Sequence, residues 1–305
     1  MSKTTGLLKM LDKKVKKEAL FEASVLDDVE TVRILIKQDK IDVNAMDVNS
    51  VTALMVASKN GSINVAKTLI KAGADVNAKD KAGGTALMYA SLWGYVDLVK
   101  LLIEAGADVN SKNSFGETAL MWASEKGRTE VVKVLLEAGA NVNVREQVYG
   151  EAALLWASEK GKTEVVKVLL EAGADINTKN KWGDTALMKA SKYGYHKIVK
   201  LLIDAGADVN AKEYTLDETA LMLATENGYT KIVKLLIEAG ADINARDKYR
   251  NTALIEAIKR NRTAAVKLLI DAGADIDNIA LMLAKEKDYT KIVKLLKKAE
   301  AKAKE

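Results

Sequence analysis

The triplet Thr-Ala-Leu, or a close variant of it, begins at Glu18, Thr52, Thr85, Thr118, Ala152, Thr185, Thr219, Thr252 and Ile279, with spacings of 34, 33, 33, 34, 33, 34, 33 and 27 residues. A period this regular overrides any estimate of domain number from the chain's 305 residues. A repeat of this size is one supersecondary unit, and it buries its apolar face only by stacking on its neighbours. Two neighbouring units are near copies: residues 119–143 and 153–177 agree at 21 of 25 positions.

Within a unit, apolar residues follow helical spacing and glycines mark the breaks, so each unit reads as two short helices and a loop. In the unit that starts at Thr118, the threonine hydroxyl is placed to cap a first helix, Leu120, Met121 and Ala123 supply its packing surface, and Gly127 ends it. A second helix is predicted over about residues 129–138, with Val131, Val132, Val134, Leu135 and Leu136 apolar and Gly139 at its end. The first-helix ends Gly61, Gly94, Gly127, Gly161, Gly194 and Gly228 give way to Asn261 and Asp288. These residues share a tolerance of the left-handed backbone region.

The run Gly-x-Thr-Ala-Leu-Met, then a glycine, then Val-Val-Lys-Leu-Leu-Ile-Glu-Ala-Gly-Ala-Asp-Val-Asn-Ala-Lys resembles the ankyrin repeat, over almost the entire chain. The resemblance implies an all-α repeat solenoid of stacked antiparallel helix pairs, with projecting β-hairpin fingers and a concave surface made by the fingers and first helices. One departure stands out: Thr-Ala-Leu-Met, as at residues 85–88, replaces the family's usual Thr-Pro-Leu-His. Alanine is tolerated where proline opens a helix, and methionine substitutes apolar packing for the histidine's inter-repeat hydrogen bonds. Zero proline, zero cysteine and the near-duplicate units suggest an engineered array; the uneven spacing and the irregular segment 34–51 suggest a natural, bacterial-type one. The expected organisation is one domain over residues 1–305, with an N-terminal cap at 1–51, seven internal repeats at 52–278 and a C-terminal cap at 279–305. At the front, Leu7, Leu8, Leu11 and Val15 are expected to form an apolar stripe on a helix whose other side carries Lys9, Lys13, Lys14 and Lys17.

The net charge of +5 comes from 47 basic and 42 acidic residues, which interleave rather than gather on one face, so a nucleic-acid partner is not expected. With no cysteine there is no disulfide, thiolate metal site or cysteine nucleophile, which suits a reducing compartment, and a cytoplasmic, monomeric protein is expected. No apolar run approaches the roughly 18 residues a membrane span needs. The lone histidine, His196, has no second ligand at metal spacing and no nucleophile motif beside it. The recurring Asp-x-Asn, as at Asp75 and Asn77, lacks the glycine and closing glutamate of a calcium loop. Neither an enzyme nor a cofactor is expected.

Binding is expected instead. In ankyrin proteins the residue after Leu-Met faces the inner side of the stack, and here it reads Glu22, Val56, Tyr89, Trp122, Trp156, Lys189, Leu223, Glu256 and Leu283. Helices pack about 8–10 Å apart, so Tyr89, Trp122 and Trp156 are expected to form a row some 20 Å long, either exposed to a partner or packed between repeats. Trp93 and Tyr193 follow one turn later, and Phe115, Tyr149, Trp182, Tyr214 and Tyr249 recur at the finger tips. A protein or peptide partner lying along residues 89–189 is the first expectation. The alternative is a small-ligand or nucleotide receptor that stacks a planar group between Trp122 and Trp156, with Lys189 or Lys126 holding an anion.

Overall fold

The computed structural model describes residues 13–38 and 40–302, which form eighteen helices and gather into two compact units divided between Val148 and Tyr149. The first unit holds α1 (Lys13–Leu26), α2 (Val29–Lys37), α3 (Ala53–Asn60), α4 (Ile63–Lys71), α5 (Ala86–Trp93), α6 (Val96–Glu104), α7 (Ala119–Lys126) and α8 (Thr129–Glu137). The second holds α9 (Ala153–Glu159), α10 (Thr163–Glu171), α11 (Ala186–Tyr193), α12 (His196–Asp204), α13 (Ala220–Asn227), α14 (Thr230–Glu238), α15 (Ala253–Lys259), α16 (Thr263–Asp271), α17 (Asn278–Glu286) and α18 (Thr290–Lys302). Of the expected N-terminal stripe, Leu7, Leu8, Lys9 and Leu11 lie outside the described residues, and Val15 is exposed on α1.

Within each unit, first helices pack on first helices and second on second. The sequence pattern explains this: α5 buries Ala86, Leu87, Met88, Ala90 and Ser91, while α6 buries Leu98, Val99 and Leu102. Each fully buried leucine, valine or methionine removes enough apolar surface from water to contribute about 1.5–3 kcal/mol. Met55, Met88, Met121, Met188 and Met222 are all buried, so thioether packing fills the position where the family usually has histidine. The hydroxyls of Ser58, Ser91, Ser124, Ser158, Ser191 and Thr225 are enclosed with no hydrogen-bond partner among the described residues. What that column contributes is therefore small size.

Polar links between repeats come from the loops. In the first unit, Asn77 donates through Nδ2 to the Gly106 carbonyl at 3.0 Å and accepts at Oδ1 from the Asp108 amide at 2.7 Å. Asn110 does the same with Gly139 and Asn141, and Asn210 with Gly240 and Asp242 in the second unit. The Asp-x-Asn motif is thus a turn in which the aspartate holds the asparagine amide, as Asp75 holds Asn77 at 2.9 Å, and the asparagine staples the next repeat.

The fingers are turns rather than β-hairpins: among the described residues the only bridge is Met46 with Thr52. Six fingers carry one backbone rung across their base, such as the Asn113 amide to the Glu117 carbonyl at 3.0 Å. The amides a longer ladder would use are taken by a side chain, since Asp80 Oδ1 accepts from both Ala82 and Gly84 at 2.8 Å.

Six first helices are capped by a threonine whose hydroxyl accepts from the amide three residues on, as Thr118 does from Met121 and Thr185 from Met188. Ala152 has the same extended backbone, φ −99° and ψ 168°, and no such bond. Ala152→Thr is expected to stabilise the fold by about 1 kcal/mol, read as a higher urea midpoint. An unchanged or lower midpoint would mean that the bond the Leu155 amide already makes to the Ala152 carbonyl at 3.0 Å serves it as well as a hydroxyl would.

Candidate functional site

The finger and the first helix that follows it form one electrostatic device. The residue just before the cap is Gly84, Glu117, Glu151, Asp184, Glu218 or Asn251, and five residues further on stands the inner-face residue Tyr89, Trp122, Trp156, Lys189, Leu223 or Glu256. This acidic series is what the reading of the inner-face row alone missed. The fixed spacing of five residues in successive repeats was the available signal.

In the first unit, Trp122 on α7 is half-buried, and its indole Nε1 donates to Glu117 Oε2 at 2.9 Å. Asn113 Nδ2 donates to the same oxygen at 2.7 Å. The Trp122 ring meets Tyr89 edge-on, with centroids 5.9 Å apart. The Tyr89 hydroxyl donates to Asp80 Oδ2, and burial together with that carboxylate holds its pKa well above the usual phenol range. Gly84 is needed here for space: a Cβ would lie 2.9 Å from Asp80 Oδ2 and 3.1 Å from the Tyr89 hydroxyl. Both inner-face rings therefore serve packing and hydrogen bonding within the repeat stack while keeping part of their surface open. Trp93 and Phe115 are exposed.

In the second unit, Trp156 is half-buried on α9. Lys189 Nζ lies 2.8 Å from Glu151, 2.8 Å from Glu159 and 3.9 Å from Asp184. Burial opposes its charge, but the hydrogen bonds and charges of Glu151 and Glu159 outweigh that and hold its pKa above the ordinary lysine value. The finger aromatics brace one another and stay open: Tyr149 stacks on Trp182 with centroids 5.2 Å apart, and Lys179 sits 5.0 Å over the Tyr214 ring. Exposure runs from 45% at Tyr193, through Trp182, Tyr149 and Tyr214, to 70% at Tyr249.

Glu218 breaks the pattern. Its partner position holds Leu223, which is buried and has no donor to offer, and its carboxylate has no hydrogen-bond or ion-pair partner among the described residues. Glu213 next to it is occupied by its own finger, accepting from the amides of Thr215 at 2.6 Å, of Leu216, and of Glu218 at 3.2 Å. Burial and then the charges of Glu226, Glu213, Glu256 and Asp247 push the Glu218 carboxyl up to about 7. A carboxyl raised in the folded state favours folding least once it is ionised. Stability therefore falls as pH rises from about 4.5, its ordinary value, through about 7. Discounted for partial solvation, the effect is about 1 kcal/mol. Glu218→Gln is expected to melt higher than the parent at pH 8 and alike at pH 5; equal melting at pH 8 would show the repulsion to be screened.

His196 is exposed at the start of α12, beside a groove of about 610 Å³ lined by second-helix residues such as Lys197, Lys200 and Lys231. Among the described residues no cluster of His, Asp or Glu could hold a metal ion, and no helix is long and apolar enough to cross a membrane.

A family model described as ankyrin repeats (three copies) matches residues 4–80, 20–113, 78–146, 143–213 and 221–305. No curated protein matches the chain.

Proposed function

The chain belongs to the ankyrin-repeat family, whose members generally mediate protein–protein interaction, and from that premise we propose that the first-helix and finger face of each unit is a non-catalytic docking surface for another protein or peptide. The observation that carries this reading is the series of large aromatics left open on that face: Trp93 and Phe115 in the first unit, and Tyr149, Trp182, Tyr193, Tyr214 and Tyr249 in the second. Rings held by a rigid scaffold lose little freedom on binding, and such anchors usually dominate interface energies. The half-buried Tyr89, Trp122, Trp156 and Lys189 form the floor beneath them.

A stacked nucleotide fits less well. Lys189 is already enclosed by carboxylates, Lys126 pairs with Glu125 at 3.3 Å, and the finger acids would repel phosphate. The working picture is a monomeric interaction module, and a sequence without cysteine suits a cytoplasmic setting.

The test compares proteins captured from an extract by three forms: the parent, a face variant (Trp93, Phe115, Trp182 and Tyr193 to Ala) and an outer-helix variant (Lys197 and Lys231 to Ala). The proposal expects one set of proteins to be shared by the parent and the outer-helix variant and lost from the face variant. Retention by the face variant and loss from the outer-helix variant would overturn it.

A further inference from the structure

Between α11, the finger at residues 213–218 and α13 lies a cavity of about 180 Å³ lined by Trp182, Tyr193, Leu216, Glu218 and Leu223 among others. Its walls set Trp182, Tyr193, Leu216 and Leu223 beside the acidic Asp184, Glu213 and Glu218, and the Glu218 carboxylate has no donor among the described residues. In the preceding repeats the corresponding acid is served from within the protein: Glu117 by the Trp122 indole and Asn113, Glu151 by Lys189 and Asp184 by Asn180. Glu218 alone among the four acids of the series lacks such a donor, because Glu213, Leu223 and Glu256 stand where Asn113, Trp122 and Lys189 serve the others. We infer that this cavity receives a cationic side chain of the docked polypeptide, and that an arginine, stacked on Trp182 and paired with Glu218, is the residue it fits.

The chemistry favours arginine over lysine. A guanidinium is planar, so it can lie against an indole face while its edge meets a carboxylate, and it sheds water more readily than an ammonium. Charge complementarity points the same way, because Glu213, Glu226, Glu256 and Asp247 all add negative potential at Glu218. Two lysines also line the cavity. Lys189 is neutralised by Glu151 and Glu159, and Lys192, exposed on α11, is the one cation that competes with an incoming arginine.

The inference rests on the docking face proposed above, and it is tested separately from it. The full chain is titrated with the peptide Gly-Gly-Arg-Gly-Gly and with the same peptide carrying citrulline, an uncharged isostere, while the Trp182 indole resonance is followed by NMR. The expected result is a saturable shift with the arginine peptide, at least tenfold weaker with citrulline and in Glu218→Gln, and growing from pH 6 to pH 8 as the carboxyl ionises. Lys192→Ala is expected to tighten binding. Equal responses to the two peptides, an undiminished response in Glu218→Gln, or weaker binding in Lys192→Ala would overturn the inference. The melting curve of Glu218→Gln confirms that its fold is intact. A docking face that fails would instead show partners retained by the face variant and lost from the outer-helix variant, whatever the arginine peptide does.

Discussion

Lys189→Met is expected to destabilise the second unit by about 3 kcal/mol at pH 7, because it takes the cation from the buried Glu151 carboxylate and leaves it beside Glu159, which keeps Lys160. The side chains of Lys189 and Glu151 are only 12% and 7% exposed, far from the solvated pairs whose removal costs little, such as Lys200 with Asp204. The pH dependence identifies the cause. Burial works against ionisation of Glu159, yet its hydrogen bonds from Lys160 and Lys189 bring its pKa below the ordinary 4.5, so its contribution is present above that value and lost as pH falls. Lys189 has a raised pKa, so its contribution is complete below about 10.5 and lost as pH rises through the folded value. The deficit of the variant is thus widest between those limits and narrows toward pH 3. Adding Glu151→Gln should restore most of the loss, since a neutral pair leaves little charge stranded. Urea unfolding followed by circular dichroism measures all three forms. A deficit below about 1 kcal/mol would show that the cluster behaves as an exposed pair.

Much of this architecture is readable from residues alone because its causes are local. Gly127 ends α7 at φ +72° and Asn261 takes φ +55° at the matching point of a later repeat, and both are residues whose chemistry announces a left-handed position. Thr118 and Thr185 cap helices because the hydroxyl and the amide it satisfies are three residues apart. The fingers were less legible. An Asx side chain that satisfies Ala82 and Gly84 and a short strand that pairs with its neighbour leave similar marks in sequence.

The inner face was legible as a row but not as a set of bonds. Its residues come at repeat spacing, so Tyr89, Trp122, Trp156 and Lys189 could be aligned without coordinates. Which group each one meets depends on the next repeat. Glu151 precedes Trp156 by five residues, yet it pairs with Lys189 one repeat further on, and Tyr89 reaches Asp80 past Gly84. Lys189 looks like a free cation in sequence and is the centre of an acidic cage in the fold. Glu218 shows the converse: an ordinary finger acid becomes distinctive because Glu213 and Leu223 stand where Asn113 and Trp122 serve Glu117.

A close approach between two fingers yields the other large effect. Gly83 has φ +78°, and a Cβ there would lie 2.8 Å from the Ser114 amide nitrogen and 2.9 Å from Asn113 Cα, backbone atoms that cannot swing aside. That contact exists because the Ser114 amide donates to the Ala82 carbonyl at 2.8 Å, tying one finger to the next. Gly106 has φ +90° and nothing within 4 Å of a Cβ, so it isolates the backbone cost. Gly106→Ala is expected to lose about 1 kcal/mol from left-handed strain alone. Gly83→Ala is expected to lose about 2–3 kcal/mol, the excess coming from the displaced finger. Ser50 occupies the corresponding place in an earlier finger at φ +61°, which bounds the penalty well short of unfolding. Repeat arrays can open locally, so the sensitive measurement is hydrogen exchange at the Ser114 amide. About 2 kcal/mol corresponds to roughly thirtyfold faster exchange there in Gly83→Ala, while Gly106→Ala should leave that amide nearly unchanged. Equal exchange at Ser114 in the two variants would mean that the fingers are not held by this contact, and that the aromatics at their tips are positioned by their own stacking instead.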